Sequence, residues 1–105
     1  MLNSTAFEQI ARYYGVSSQL DMLVEECSEL ITAVQKVKRG QAYAFDNFVE
    51  ELADVSIMTQ QMLCYMSEEQ RKQYNECIDY KLKRQLDRIN KEKFDYFAWR
   101  KGINT

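Results

Sequence analysis

The sequence contains no histidine and no proline, and only three of its 105 residues are glycine. The absence of histidine excludes Ser/His and Cys/His catalytic triads, histidine-ligated zinc and the Glu-x-x-His pairs of di-iron helical bundles. The shortage of proline and glycine favours long helices and leaves little turn chemistry for an all-β fold. Any catalysis must therefore use carboxylates, amines, thiols or a hard metal ion on an all-α framework.

The chain also lacks a long apolar run, a recognisable signal peptide and a large net charge. No apolar stretch approaches the roughly 18 residues that a membrane span needs, and the start of the chain has no basic segment followed by an apolar one. The net charge of −2 is too small to indicate nucleic-acid or membrane binding. We therefore expect a cytoplasmic protein that binds neither nucleic acid nor membranes.

Turn and capping signals predict four helices in one domain that covers residues 1–105. Gly15 ends the first predicted helix, Ser17 or Ser18 caps the second, and Arg39-Gly40 ends it. Asp46 or Asn47 caps the third, and the capping-box pattern from Ser67 to Gln70 begins the fourth. The aromatic-rich tail 94–105 is left unassigned. The bounds that these signals predict are 4–14, about 17–38, about 46–66 and 67–93. The expected fold is an all-α helical bundle of three to four main helices.

Oligomerisation is expected to complete this bundle, because the third predicted helix is apolar nearly all round. Ala53, Ile57 and Cys64 lie on the side opposite Leu52. A helix of that kind is usually buried on both sides, and a chain of this length covers one side but not two. We expect a homo-oligomer, either a dimer or a tetramer.

Acidic residues interrupt the apolar faces of the second and third predicted helices at the same spacing. Glu26 and Glu29 lie beside the apolar arc of the second helix, and Glu51 and Asp54 lie in the corresponding position on the third. The arc of the second helix, which we expect to face the core, comprises Leu20, Leu23, Cys27, Leu30, Ile31, Val34 and Val37. If the two helices pack antiparallel, the four carboxylates converge.

Burying a lone carboxylate costs several kcal/mol, and like charges that converge need a cation between them. Ligands that are all oxygen select a hard ion, so Mg²⁺ is expected, with Mn²⁺ as the other possibility. The competing interpretation is that these acids are solvated and paired with lysines. The repeated spacing inside two apolar arcs favours the metal site.

Three further polar residues are candidates for supporting roles. Glu25 and Glu50 precede the acidic pairs and point away from the apolar arcs, so they are either solvated or support the ligands. Gln19 lies seven residues before Glu26, on nearly the same helix face. Its amide either hydrogen-bonds a ligand or caps a neighbouring backbone group.

The order Glu26-Cys27-Ser28-Glu29, then 21 residues, then Glu51-Leu52-Ala53-Asp54 resembles the MazG-like all-α nucleoside triphosphate pyrophosphohydrolases. The resemblance is to the short single-domain phage and bacterial type, and it runs from about Tyr14 to Arg88. It implies an enzyme that uses Mg²⁺ to hydrolyse a nucleoside triphosphate, a deoxy or non-standard one, to the monophosphate and pyrophosphate. The catalytic metal ligands would then be Glu26, Glu29, Glu51 and Asp54.

The resemblance also implies that basic residues of the last helix hold the triphosphate. Lys81 and Arg84 match the family's basic residues, and Arg88 shares their helix face. The charge distribution agrees, since residues 70–105 carry 10 basic and 5 acidic side chains. Two other functions stay open at this point: a non-catalytic helical interaction module and a small metal-binding bundle.

Overall fold

The computed structural model describes residues 4–102, and over this range the chain is all-α, with four helices and no strand. The helices are α1 (Ser4–Tyr14), α2 (Val16–Lys38), α3 (Ala44–Leu63) and α4 (Glu68–Arg100). The chain divides into two compact units at the junction between Met66 and Ser67. The first unit holds α1 to α3, and the second holds α4.

The junctions around α2 depend on two glycines with positive φ. Gly15, at φ 84°, is the single residue between α1 and α2, so α2 begins at Val16 without a side-chain cap. Gly40, at φ 71°, ends α2 in a Schellman motif, in which the Gly40 and Gln41 amides donate to the carbonyls of Val37 and Lys36. The predicted serine cap of α2 is therefore wrong, while its predicted end is confirmed.

The start of α3 and the end of α4 also differ from the prediction. No side chain caps α3, which follows Tyr43 in the left-handed region at φ 61°, so Asp46 and Asn47 lie inside the helix. The capping box of Ser67 and Gln70 begins α4 as predicted. This helix continues through residues 94–100 because no glycine or proline interrupts it there, and residues 103–105 lie outside the described part.

The first unit is an antiparallel α2–α3 hairpin against which α1 packs. Its buried hydrophobic residues are few and mostly small: Ala11, Ala33, Ala44 and Met58. The hydroxyl of Tyr65 donates a hydrogen bond to the carbonyl oxygen of Ala11, which ties the end of the hairpin to α1. Small side chains allow the two long helices to approach closely, so groups on their facing sides come within hydrogen-bond range.

The packed face of α2 includes only part of the arc that the apolar pattern predicts. Four members of that arc are half-buried, and the other three are exposed. Leu20 and Ile31 are 49% and 61% exposed, whereas Gln19 and Ala33 are 3% and 0% exposed. The face that contacts the rest of the unit is thus rotated by about 80° toward the acidic residues. As a consequence Glu26 lies near the centre of the packed face rather than at its edge.

Within its described part, the second unit is a single long helix, and none of the residues of α4 is buried. Its 33 residues span about 50 Å at 1.5 Å per residue. Ion pairs between residues four apart support it, such as Lys83 with Asp87 at 3.0 Å and Lys91 with Asp95 at 2.7 Å. Within residues 4–102, none of the helices has the length and apolar character needed to cross a membrane.

Candidate metal centre

Four carboxylates meet where α2 and α3 face each other. Glu26 and Glu29 are one helical turn apart on α2, and Glu51 and Asp54 are one turn apart on α3. One carboxylate oxygen from each of the four lies within 4.8 Å of the other three. The structure therefore brings together the whole predicted ligand set, although the assignment of a metal to it stays a prediction.

The two central carboxylates each bury an oxygen that has no partner. Glu26, Glu51 and Asp54 are half-buried, while Glu29 is exposed. Neither Oε2 of Glu26 nor Oε2 of Glu51 has a hydrogen-bond partner among the described residues. Native proteins normally satisfy buried polar atoms, because each unsatisfied one carries its full desolvation cost. Two such oxygens in one acidic cluster leave unmet acceptor capacity that a cation could fill.

Burial and mutual repulsion raise the pKa of both residues. Burial is the main cause of the rise in the pKa of Glu26 from 4.5 to about 7, and the negative charges of Glu29 and Asp54 add to it. The pKa of Glu51 is raised by the same causes in the same order. In each case the site without a cation disfavours the charged form, and a cation would reverse that preference.

The donor set fits a hard divalent cation. All four side chains offer carboxylate oxygen, which Mg²⁺ and Mn²⁺ prefer, and no cysteine belongs to the cluster. The unpartnered oxygens of Glu26 and Glu51 are positioned to accept such an ion without breaking any hydrogen bond that they make within the described residues.

The predicted supporting residues differ in their placement. Glu25 and Glu50 are both exposed, but the charge of Glu50 contributes to the raised pKa of Glu51. Gln19 is 3% exposed, and its Oε1 atom has no partner among the described residues. Gln19 therefore belongs to the packed face, about 10 Å along α2 from Glu26.

Three residues near the cluster were missed by the sequence analysis. Gln61 is buried on α3, seven residues after Asp54, just as Gln19 lies seven residues before Glu26. Lys36 and Asn47 line an open groove beside Glu29 and Glu51. A seven-residue spacing from the acidic residues would have found Gln61 and Lys36, because seven residues complete nearly two helical turns.

The predicted phosphate-binding residues all lie on α4, in the second unit. Lys81, Arg84 and Arg88 are exposed, and the guanidinium of Arg84 lies 5.8 Å from the ring centre of Tyr80. The neighbouring Lys83 is paired with Asp87. Their assignment to a triphosphate stays a prediction.

Comparison with protein families identifies the chain. The MazG nucleotide pyrophosphohydrolase domain matches residues 15–94, which is most of the sequence and includes all four carboxylates. The chain belongs to this MazG family. Neither the curated proteins nor the solved structures gave a match. The family match and the all-α fold agree with the resemblance drawn from the two acidic motifs.

Proposed function

We propose that this MazG domain is a Mg²⁺-dependent nucleoside triphosphate pyrophosphohydrolase, which releases a nucleoside monophosphate and pyrophosphate. The observation that carries the proposal is the pair of unpartnered buried oxygens, on Glu26 and Glu51, inside a cluster of four carboxylates. Structural ion pairs do not explain the cluster, because none of its four members forms an ion pair with a described lysine or arginine.

The metal ligands in this proposal are Glu26, Glu29, Glu51 and Asp54. A bound Mg²⁺ or Mn²⁺ ion supplies Lewis-acid stabilisation of the negative charge that develops on the phosphates. A carboxylate oxygen that is free at that stage orients the attacking water and accepts its proton. The bridging P–O bond between the first and second phosphates breaks, and the oxygen of water ends on one of the two products.

The other proposed contacts with the nucleotide are those that the sequence analysis predicted. Lys81, Arg84 and Arg88 supply positive charge for the triphosphate, and the amide of Gln19 contacts the base. Glu25 and Glu50 contact neither the metal ion nor the nucleotide, and their charges change the electrostatic environment of the ligands beside them. The substrate class is a nucleoside triphosphate, with a deoxy or non-standard nucleotide preferred.

The decisive experiment measures pyrophosphate release from a panel of nucleoside triphosphates with Mg²⁺, with Mn²⁺ and with a chelator. Asp54→Asn should abolish release, because it removes one charged ligand at constant size. Asp21→Asn is the matched control, since Asp21 is exposed on α2 outside the cluster. Metal binding without release of pyrophosphate would instead indicate a metal-binding module, and release that persists in the chelator would rule out the metal-dependent mechanism.

We also propose that a second copy of the chain covers the exposed apolar face of the hairpin. On α2 the exposed side chains include Val24 and Ile31, at 68% and 61%, and on α3 they include Val49 and Leu52, at 51% and 43%. Burying the exposed part of each such side chain contributes about half of the 1.5–3 kcal/mol that full burial gives. Two antiparallel hairpins that pack through this face complete a four-helix bundle, and the same surface then meets itself across a twofold axis.

A further inference from the structure

An open groove of about 310 Å³ runs along the α2–α3 hairpin beside the carboxylate cluster. Two of the four predicted ligands, Glu29 and Glu51, contribute to its wall. The other lining residues are Ser28, Thr32, Lys36 and Asn47. The groove therefore has carboxylates in one part of its wall and uncharged or basic side chains in the rest.

Among the described residues that line this groove, Lys36 is the only basic one. It lies seven residues after Glu29, which places it on the same face of α2, about 10 Å along the helix axis. Its side chain is half-buried, and it forms no ion pair with any described carboxylate. A lysine that forms no ion pair among the described residues leaves its positive charge available to an anionic ligand.

The two hydroxyl groups of the groove are already committed as donors. The Ser28 hydroxyl donates to the carbonyl of Val24 at 2.9 Å, and the Thr32 hydroxyl donates to the carbonyl of Ser28 at 3.2 Å. The side-chain donors that stay available to a ligand are therefore the ammonium group of Lys36 and the amide of Asn47. They project from opposite helices, so an anion between them would be held from both sides.

We propose that this groove binds the terminal phosphates of the nucleotide, the part released as pyrophosphate, through Lys36 and Asn47. The inference rests on the proposed function and adds a phosphate site on the hairpin that carries the metal ligands. Glu29 and Glu51 would repel the negative charge of pyrophosphate that carries no cation. The groove should therefore accept pyrophosphate only together with a divalent cation. Charge-assisted hydrogen bonds from Lys36 would then fix the far end of the polyphosphate.

Calorimetric titration with inorganic pyrophosphate, in the presence and absence of Mg²⁺, tests this inference. We expect binding by the wild-type chain only with Mg²⁺. Lys36→Gln should weaken this binding about tenfold to a hundredfold, as expected for the loss of a hydrogen bond from a charged group. Lys36→Arg should retain most of it. Lys38→Gln is the matched control, because Lys38 is exposed on the same helix and does not line the groove.

Asn47→Ala provides an independent test from the opposite helix and should also weaken binding of pyrophosphate with Mg²⁺. Unchanged affinity in both Lys36→Gln and Asn47→Ala would overturn the groove assignment, even if the wild-type chain hydrolyses nucleoside triphosphates. If instead the wild-type chain releases no pyrophosphate from any nucleotide, but Lys36→Gln still loses Mg²⁺-dependent pyrophosphate binding, the proposed function fails and the groove assignment stands.

Discussion

Glu26 of α2 and Glu51 of α3 belong to one carboxylate cluster between the two helices, and each buries one carboxylate oxygen that has no hydrogen-bond partner among the described residues. Both residues have a raised pKa, with burial as the main cause. Two acids placed in this way destabilise the hairpin unless a proton or a cation neutralises them. The stability of the fold and the binding of a metal are therefore coupled at this pair.

Replacing either member of the pair should separate function from stability. Glu26→Gln and Glu51→Gln keep the size of the side chain and remove its charge. Loss of a metal ligand removes several kcal/mol of transition-state stabilisation, so turnover should fall about a hundredfold or more. The melting temperature without metal should stay the same or rise, because repulsion is relieved. Steady-state kinetics and thermal unfolding in a chelator measure the two effects, and unchanged turnover in both variants would contradict the metal site.

The stability of the metal-free chain should depend on pH through Glu26. Its pKa is about 7 in the folded chain and near 4.5 when unfolded, so between these values the folded state holds the extra proton. The free energy of unfolding should therefore fall as the pH rises through this range. Urea titrations at about pH 5 and about pH 8 in a chelator measure the slope. Saturating Mg²⁺ should reduce the slope, and Glu26→Gln should also reduce it, leaving the part that comes from the raised pKa of Glu51. An equally steep slope in Glu26→Gln would assign the effect to other groups.

The positions of the acidic pairs could be predicted because they depend on helical spacing alone. Residues three apart on each helix share a face, and a short connection makes the helices antiparallel, so the convergence of Glu26 with Asp54 follows from the sequence. The four helices followed from local signals as well. The capping box at Ser67 and the glycine at position 40 fix their boundaries through backbone geometry.

The face of α2 that packs against the rest of the unit could not be predicted, because the apolar pattern of one helix does not say which of its faces contacts a neighbouring helix. The small residue Ala33 selects the packed face and leaves Ile31 outside, although Ile31 is the more hydrophobic residue. Asn47 was predicted as a helix cap, but the left-handed Tyr43 begins α3 earlier and turns Asn47 into a groove residue. Both outcomes depend on close packing between helices, which a single sequence does not show.

Replacing Gln19 with an apolar residue should stabilise the folded chain. Its unpartnered carbonyl oxygen costs about 1–3 kcal/mol, so Gln19→Leu should raise the free energy of unfolding by about 1 kcal/mol. Gln61→Leu is the control, because Gln61 is equally buried but carries no fully buried oxygen of this kind. The gain in unfolding free energy for Gln61→Leu should be smaller.

Since Gln19 is also the proposed base contact, Gln19→Leu should change the ratio of kcat/KM between two nucleotides that differ only in the base. A loss of stability together with an unchanged ratio would contradict both roles.

The exposed stripe of the hairpin should hold two copies of the chain together. Ile31→Glu places a charge in the centre of the stripe and removes about 1–2 kcal/mol of apolar burial from each copy. Ser18→Glu is the control, because Ser18 is exposed on α2 away from the stripe. Sedimentation velocity at micromolar concentration should show a dimer or tetramer for the wild-type chain and the control, and a smaller species for Ile31→Glu. A wild-type mass equal to one chain would contradict the assembly.

The basic residues of α4 should affect substrate affinity more than the chemical step. Lys91 is paired with Asp95, whereas Lys81 and Arg84 form no ion pair with the described carboxylates, so their charges are available to phosphates. A contact made in both the ground and the transition state changes KM more than kcat. Lys81→Ala and Arg84→Ala should therefore raise the KM for a nucleoside triphosphate, with a smaller effect for a diphosphate. Lys93→Ala is the matched control, because Lys93 is exposed and outside the predicted phosphate set. Similar small effects from all three substitutions would show that α4 does not contact the triphosphate, and would leave Lys36 as the principal candidate for that contact.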